Sequence, residues 1–188
     1  PLGYLHCDML VLKARKITGE PRQPKTTPGD WQNSLELKSL HASGGVIFDA
    51  PEGKGGGREL LLRQDKGVRL LTLDGNAWTQ NEQGKLSGHT FQFNSQQGVF
   101  TAVGSPVSLE GKELSATGDK LLYYQKTKEL ELSGSQAQLW QRTTDGKIKH
   151  QLMAQKIHYW QDEGKLTALQ KATLVVTADE KEMAAFSS

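Results

Sequence analysis

The stretch SATGDKLLYYQKTKELELSGSQA, residues 115–137, decides the fold of this chain. Its first part ends in a pair of tyrosines, a polar turn follows at residues 125–128, and apolar and polar residues then alternate from Glu129 to Leu132. Alternation with a period of two is typical of a β-strand, because successive side chains point to opposite faces of the sheet. The stretch therefore predicts a strand, a turn and a second strand.

The same arrangement recurs along the chain about every thirty residues. A short corner motif is repeated at spacings of 29, 30 and 36 residues, and its copies begin at Gly75, Gly104, Gly134 and, in degraded form, Gln170. Each of the last three copies follows an aromatic residue by 11 positions, and these aromatics are Phe93, Tyr123 and Tyr159. Two to four short strands cannot bury an apolar face alone, whereas stacked repeats merge their faces. We therefore predict an all-β protein of stacked antiparallel strands.

One face of the predicted strands is apolar almost throughout. Before each corner the outer residues of a triplet share that face, as in Leu130-Glu131-Leu132. After the corner we expect the same parity to resume, at Val107 and Leu109, Ala137 and Leu139, Thr173 and Val175, with Trp78 opening the equivalent strand of an earlier copy. The face can line either an open groove or a closed, dry core.

Composition limits the class of protein. Only 36% of the 188 residues are hydrophobic, which favours a thin or open centre over a large packed one. Lys and Arg total 23 against 21 Asp and Glu and are scattered, so no clustered basic face for nucleic acid is expected. No run approaches the roughly 18 apolar residues of a membrane span, so the chain is not expected to cross a membrane.

Catalytic and metal-binding motifs are not found in the sequence. The histidines at positions 6, 41, 89, 150 and 158 lack metal-ligand spacing, and Cys7 is the single cysteine. No Gly-x-Ser-x-Gly elbow, His-Glu-x-x-His motif or complete phosphate loop is present. We therefore expect a protein that is not an enzyme and carries no cofactor or metal.

The whole chain, residues 1–188, is predicted to be one β-repeat domain that begins inside a repeat, as a piece of a longer array would. Residues 5–13 are expected to form one strand, and the Pro-rich residues 19–30 a loop. The Gly-rich residues 51–57 are expected to be a flexible insertion. Residues 179–185 could add one helical turn.

The strand ending at Tyr123-Tyr124, with the segment from Leu130 to Ala137, resembles the OstA-like repeat of the periplasmic lipopolysaccharide-transport proteins. The resemblance extends over residues 36–177, and Gly75-Asn76-Ala77 is similar to the Gly-Asn-Val element of that repeat. It implies an open β-jelly-roll, or β-taco, in the periplasm. Its apolar interior would shield the acyl chains of lipopolysaccharide or a related lipid, and such domains would join head to tail with copies or relatives.

On this resemblance, the groove would be lined by residues that by position face the interior and perform no chemistry. These are Phe91, Phe93, Phe100, Leu109, Leu121, Tyr123, Leu130, Leu132, Leu139, Ile157, Tyr159 and Leu166.

Two other functions remain open from the residues. The chain could be a structural β-scaffold that binds protein partners through its free strand edges. It could also be a carbohydrate-active enzyme of stacked-β type, which would need two inward carboxylates about 5 to 9 Å apart.

Overall fold

The computed structural model describes residues 3–16, 35–51, 53–112, 114–142 and 148–176. Every regular element in these residues is a β-strand. The strands are β1 (Tyr4–His6), β2 (Met9–Lys16), β3 (Leu35–Ala50), β4 (Gly53–Asp65), β5 (Val68–Asp74), β6 (Trp78–Asn81), β7 (Gly84–Ser87), β8 (Thr90–Asn94), β9 (Val99–Gly111), β10 (Leu114–Tyr124), β11 (Glu129–Arg142), β12 (Ile148–Trp160), β13 (Lys165–Leu169) and β14 (Thr173–Val176). The prediction of an all-β fold of stacked antiparallel strands is confirmed.

Two rows of strands run side by side through the stack, and we call them limb A and limb B. Limb A consists of β2, the first half of β3, the second half of β4, β5, β8, the first half of β9, the second half of β10, the first half of β11, the second half of β12, and β13. Limb B consists of β1, the other halves of those long strands, β6, β7 and β14. Every pairing is antiparallel.

The limbs meet at a line of corners where the strand register shifts. In β9, β10 and β11 the chain passes through the corner without ending the strand, and the register slips between Gly118 and Lys120 and between Ser133 and Ala137. Gly134 lies at one such corner. A residue without a side chain is needed there, because a Cβ would stand 2.8 Å from the backbone nitrogen of Asp119. Such shifts bend a strand and increase its twist.

Other corners break one strand into two, and Gly75 and Gln170 occupy the same place in different layers. The carbonyl of Gly75 accepts from the amide of Arg58 at 2.9 Å, and the carbonyl of Gln170 accepts from the amide of Gln155 at 3.0 Å. Their φ angles are +76° and +64°. The degraded fourth copy of the motif is therefore a true corner, formed without the glycine that this conformation favours.

Two expectations about local structure were wrong. Residues 51–57 are not a flexible insertion, because β4 begins at Gly53 and pairs with β3 on one side and β6 on the other. The predicted strand over residues 5–13 is broken after His6, so that β1 joins limb B and β2 joins limb A. The predicted loop at 19–30 and helical turn at 179–185 lie outside the described residues.

The inward parity expected after the broken corners was also wrong. In β14 the residue that aligns with the inward Leu152 is Leu174, and not Thr173 or Val175. In β6, Trp78 aligns through Gly56 with the exposed Ile47 and so lies on the outward face, whereas the buried residue is Ala77, one position earlier. At both corners two successive residues have positive φ, whereas the continuous corners at Gly104 and Gly134 have none. After a broken corner, the inward side chain is therefore one position away from the one that the continuous corners would predict.

Candidate functional site

The inner face of limb A is formed by two apolar rows that cross all of its strands. The deeper row runs through Leu10, Ala42, Leu60, Leu73, Phe91, Ala102, Leu121, Leu132, Ile157 and Ala168. The row nearer the rim runs through Leu12, Leu40, Leu62, Leu71, Phe93, Phe100, Tyr123, Leu130, Tyr159 and Leu166. Phe93, Tyr123 and Tyr159 thus occupy equivalent positions in successive layers, as the 11-residue spacing predicted.

Limb B contributes a matching row to the interior. It runs through Leu5, Phe48, Gly55, Thr79, Leu86, Leu109, Ala116, Leu139, Leu152 and Leu174. Nearer the corner, Val46, Ala77, Val107 and Ala137 are buried in the same core cluster. Small side chains beside the corner let the two limbs come close together there, because less volume must be accommodated.

The predicted groove residues fall into two groups by exposure. Phe91, Leu121, Leu132, Leu139 and Ile157 are buried, with Leu132 and Ile157 at 0% exposure. Phe93, Phe100, Leu109, Tyr123, Leu130 and Tyr159 are half-buried, and Leu166 is 41% exposed. The interior is therefore a closed core beside the corner. It becomes accessible toward the rim, at the N-terminal end of the stack, where Leu10 of the deeper row is 48% exposed, and at the C-terminal end.

The accessible space widens into a hollow of about 400 Å³ at that end. Its walls are Leu166, Tyr159 and Gly164 from limb A, and Leu114, Leu139, Gln141, His150, Leu152 and Leu174 from limb B. A volume of this size lies within the range of about 300 to 1,000 Å³ seen in small-molecule sites. Of the predicted groove residues, the structure brings Leu139, Tyr159 and Leu166 together here.

Several residues of the hollow were missed by the sequence analysis. Leu114 and Leu152 lie in the first halves of β10 and β12, which the repeat alignment did not include. Leu174 was assigned to the wrong face because of the second corner type. The alternation of Leu152 and Ala154, both buried, was the available signal for an inward strand.

A second, larger hollow of about 670 Å³ lies at the opposite end of limb B. Its walls include Asp49, Lys54, Gln80 and Asn81 from the ends of β3, β4 and β6, and Glu82 from the turn after β6. Polar and charged walls of this kind suit water better than hydrocarbon, because apolar burial is what stabilises a hydrocarbon ligand. We therefore place the candidate site in the smaller, apolar hollow.

The outer face of limb A is polar near its C-terminal end. His158 lies between two glutamates, with Nδ1 3.0 Å from Glu129 Oε1 and Nε2 3.7 Å from Glu131 Oε2, and Lys156 pairs with Glu131 at 2.9 Å. The Lys165 ammonium stands 5.0 Å from the ring centre of Trp160. These contacts join β11, β12 and β13 on the side away from the hollow.

Ionised groups of the rim and outer face have shifted pKa values. Asp162 accepts a hydrogen bond from Lys128 at 2.8 Å, which raises the pKa of that ammonium. Lys38, assisted by Arg15, lowers the pKa of Glu36. These are surface pairs, so their contribution to stability is small and falls with salt.

The interior rows contain no Asp or Glu among the residues that the structure describes. The pair of inward carboxylates that a stacked-β glycosidase would need is therefore not found on these rows. Within the same residues, no cluster of His, Cys, Asp and Glu is placed to hold a metal ion. The described ranges also contain no helix of the length and apolarity that a bilayer crossing needs.

No family model matches the sequence, and no curated protein matches it. Among solved structures, the chain is similar to the crystal structure of LptH from Pseudomonas aeruginosa, the LptA homologous periplasmic component of the conserved lipopolysaccharide transport device. The match has 16% sequence identity and a TM-score of 0.42, and covers 94% of this chain and 96% of that chain.

Proposed function

We propose that this chain is a non-enzymatic carrier or bridge segment in lipopolysaccharide transport in the periplasm. It shields acyl chains of lipopolysaccharide, or of a similar glycolipid, in its interior on their way to the outer membrane. The observation that carries the proposal is the apolar hollow between the limbs, with walls made mostly of leucine. The resemblance of residues 36–177 to the OstA-like repeat gives the class of lipid.

The geometry supports a binding role at the rim and not at the corner. Filling the hollow with hydrocarbon would remove the exposed surface of Leu166 and Leu174 from water, at about 25 cal/mol per Å² of apolar area. Side chains such as Leu132 already have no surface left to cover. Of the predicted groove residues, those at the C-terminal end would therefore contact lipid, and the buried ones would hold the limbs together.

Native mass spectrometry of protein purified from a lipopolysaccharide-producing host tests the proposal. We expect acyl lipid to remain bound, and we expect Leu166→Asp to lose it because a carboxylate in the hollow would be desolvated by hydrocarbon. A buried position such as Leu132 is unsuitable, since Asp there would unfold the core.

Leu70→Asp is the matched control, because Leu70 is 46% exposed but lies on the outer face of limb A. It should retain lipid. Absence of acyl lipid from the wild-type protein, or equal retention by both variants, would contradict the proposed function.

A second function, binding of a copy or a related domain through the ends of the stack, is favoured by the edge strands. At one end Met9 and Leu12 of β2 are 51% and 57% exposed, and at the other Leu174 and Val176 of β14 are 62% and 58% exposed. Each edge also has backbone groups that can accept another strand. We propose that domains join head to tail here, so that the apolar interior continues from one to the next.

A further inference from the structure

A hydrogen-bonding pair faces the apolar hollow from limb B. His150 and Gln141 are aligned across β12 and β11, and Nδ1 of His150 lies 3.0 Å from Oε1 of Gln141. His150 stands two positions before the inward Leu152 in β12, and Gln141 stands two positions after the inward Leu139 in β11, so both pairs share a face. Both polar residues are part of the wall of the hollow.

The geometry of the pair leaves one donor and one acceptor available. Because Oε1 of Gln141 can only accept, Nδ1 of His150 is the donor of this bond, and Nε2 is an acceptor whenever the ring carries a single proton. The amide nitrogen of Gln141 is a donor. The pair therefore presents complementary groups to a ligand that can both donate and accept at one atom.

The rest of the wall narrows the choice of ligand. Apart from Gly164 and the phenol of Tyr159, the remaining wall residues are leucines, and no Asp, Glu, Lys or Arg is among the described residues that form it. A charged headgroup would have no countercharge at this place and would pay for desolvation. The body of the ligand should therefore be hydrocarbon, and its polar atom should be neutral.

We infer that the hollow selects an alkyl or acyl chain that carries a hydroxyl group, bound by His150 and Gln141. This inference rests on the proposed function and specifies its ligand. A chain without the hydroxyl would displace water from Nε2 of His150 and from the amide nitrogen of Gln141, the two atoms outside their mutual hydrogen bond, and would give neither a partner, which is costly when a polar group is buried. The pair therefore discriminates against a plain hydrocarbon more than it attracts a hydroxylated one.

Titration of the delipidated full chain with octan-1-ol and with 1-methoxyheptane tests the inference by isothermal calorimetry. The two probes have the same number of heavy atoms, but only the alcohol can donate a hydrogen bond. We expect the alcohol to bind about three to ten times more tightly, the ratio that one neutral hydrogen bond gives.

His150→Leu should bring that ratio close to one, because Nε2 of His150 is the acceptor that only the alcohol can use. Gln141→Leu removes a donor that serves both probes, so it should weaken the two affinities alike. Gln138→Leu is the control, because Gln138 and Gln151 form a comparable pair on the outer face of the same two strands, at 3.4 Å. Equal affinities in the wild-type protein, or a preference that survives His150→Leu, would overturn the inference while leaving the apolar site intact. Failure of both probes to bind would overturn the proposed function, and the inference with it.

Discussion

Gly55, Gly56 and Gly57 show how three residues without side chains organise the N-terminal half of the stack. A Cβ on Gly55 would clash with Cζ of Phe48, and one on Gly57 would stand 3.0 Å from Cδ1 of Leu73. On the other face, a Cβ on Gly56 would stand 2.9 Å from Nε1 of Trp78 and 2.6 Å from a backbone carbonyl. The glycines thus give large neighbours room to lie flat on β4.

The same glycines led to the wrong prediction of a flexible insertion at residues 51–57. A glycine-rich run is typical of flexible chain because glycine loses the most conformational freedom on folding. The alternative reason for glycine, close approach of neighbouring groups, depends on Phe48 and Trp78, which belong to other strands. Local sequence does not contain that information.

Gly56→Ala should lower the free energy of unfolding by about 1 to 3 kcal/mol, the usual cost of overpacking a filled site. The added methyl group would collide with a carbonyl oxygen that cannot rotate away. Urea denaturation followed by tryptophan fluorescence measures the change. Lys54→Ala, at an exposed position of the same strand, should leave stability nearly unchanged; an equal effect of both substitutions would contradict this packing.

Asp74 gives a residue-level prediction for acid stability. The hydroxyl of Thr90 donates to its carboxylate and, with Arg58 nearby, holds the pKa of Asp74 below the ordinary value of 3.8. A lowered folded-state pKa adds stability that is present above about pH 3.8 and is lost as pH falls through the folded value. Asp74→Asn should therefore reduce stability at neutral pH and flatten its fall in acid.

The measurement is urea denaturation at a series of pH values from neutral pH down to below 3.8, the ordinary pKa of an aspartate. Asp65→Asn, at an exposed position at the end of β4, is the control and should keep the wild-type slope. If Asp74→Asn and wild type lose stability in parallel as the pH falls, the Thr90 contact does not stabilise the ionised form.

At the scale of the element, the strands were well predicted where apolar and polar residues alternate and poorly where the chain turns between limbs. The central hairpin of β10 and β11 pairs Tyr123 with Leu130 and Leu121 with Leu132, as the alternation in residues 115–137 predicted. The broken corners were predicted with the wrong parity, because two successive residues with positive φ shift the inward side chain by one. Such a shift depends on the backbone φ angles, and a glutamine at position 170 does not indicate that its φ is positive.

The exposed edge strand β14 carries the prediction about association. Replacing Leu174 and Val176 together with lysine should weaken end-to-end association by at least about tenfold, because burying each apolar side chain is worth roughly 1.5 to 3 kcal/mol. Charged residues on an edge also oppose strand addition. Sedimentation velocity across a concentration series measures the effect.

Val103→Lys is the control, since Val103 is 45% exposed on the central strand β9 and does not lie at an end of the stack. It should associate like wild type. Association that is unchanged by the β14 substitutions would show that the ends are not the contact surface.

At the scale of the whole molecule, the two limbs form one interior that is closed beside the corners and open at the C-terminal end. The repeat predicted the shared apolar face, since Phe93, Tyr123 and Tyr159 do lie in one row. It did not predict which part is accessible, because exposure depends on how closely the limbs approach. Beside the corners the buried residues include small ones such as Ala77 and Ala137, which come from separate layers.

The most direct test is site-specific photocrosslinking in lipopolysaccharide-producing cells, with benzoylphenylalanine at neighbouring positions of one strand. Leu166 and Leu174 face the hollow, whereas Thr167 and Val175 are aligned with outward residues on the same strands. We expect acyl-lipid adducts from Leu166 and Leu174 and none from Thr167 and Val175. Equal labelling from both faces, or no labelling from the inner positions, would contradict the account.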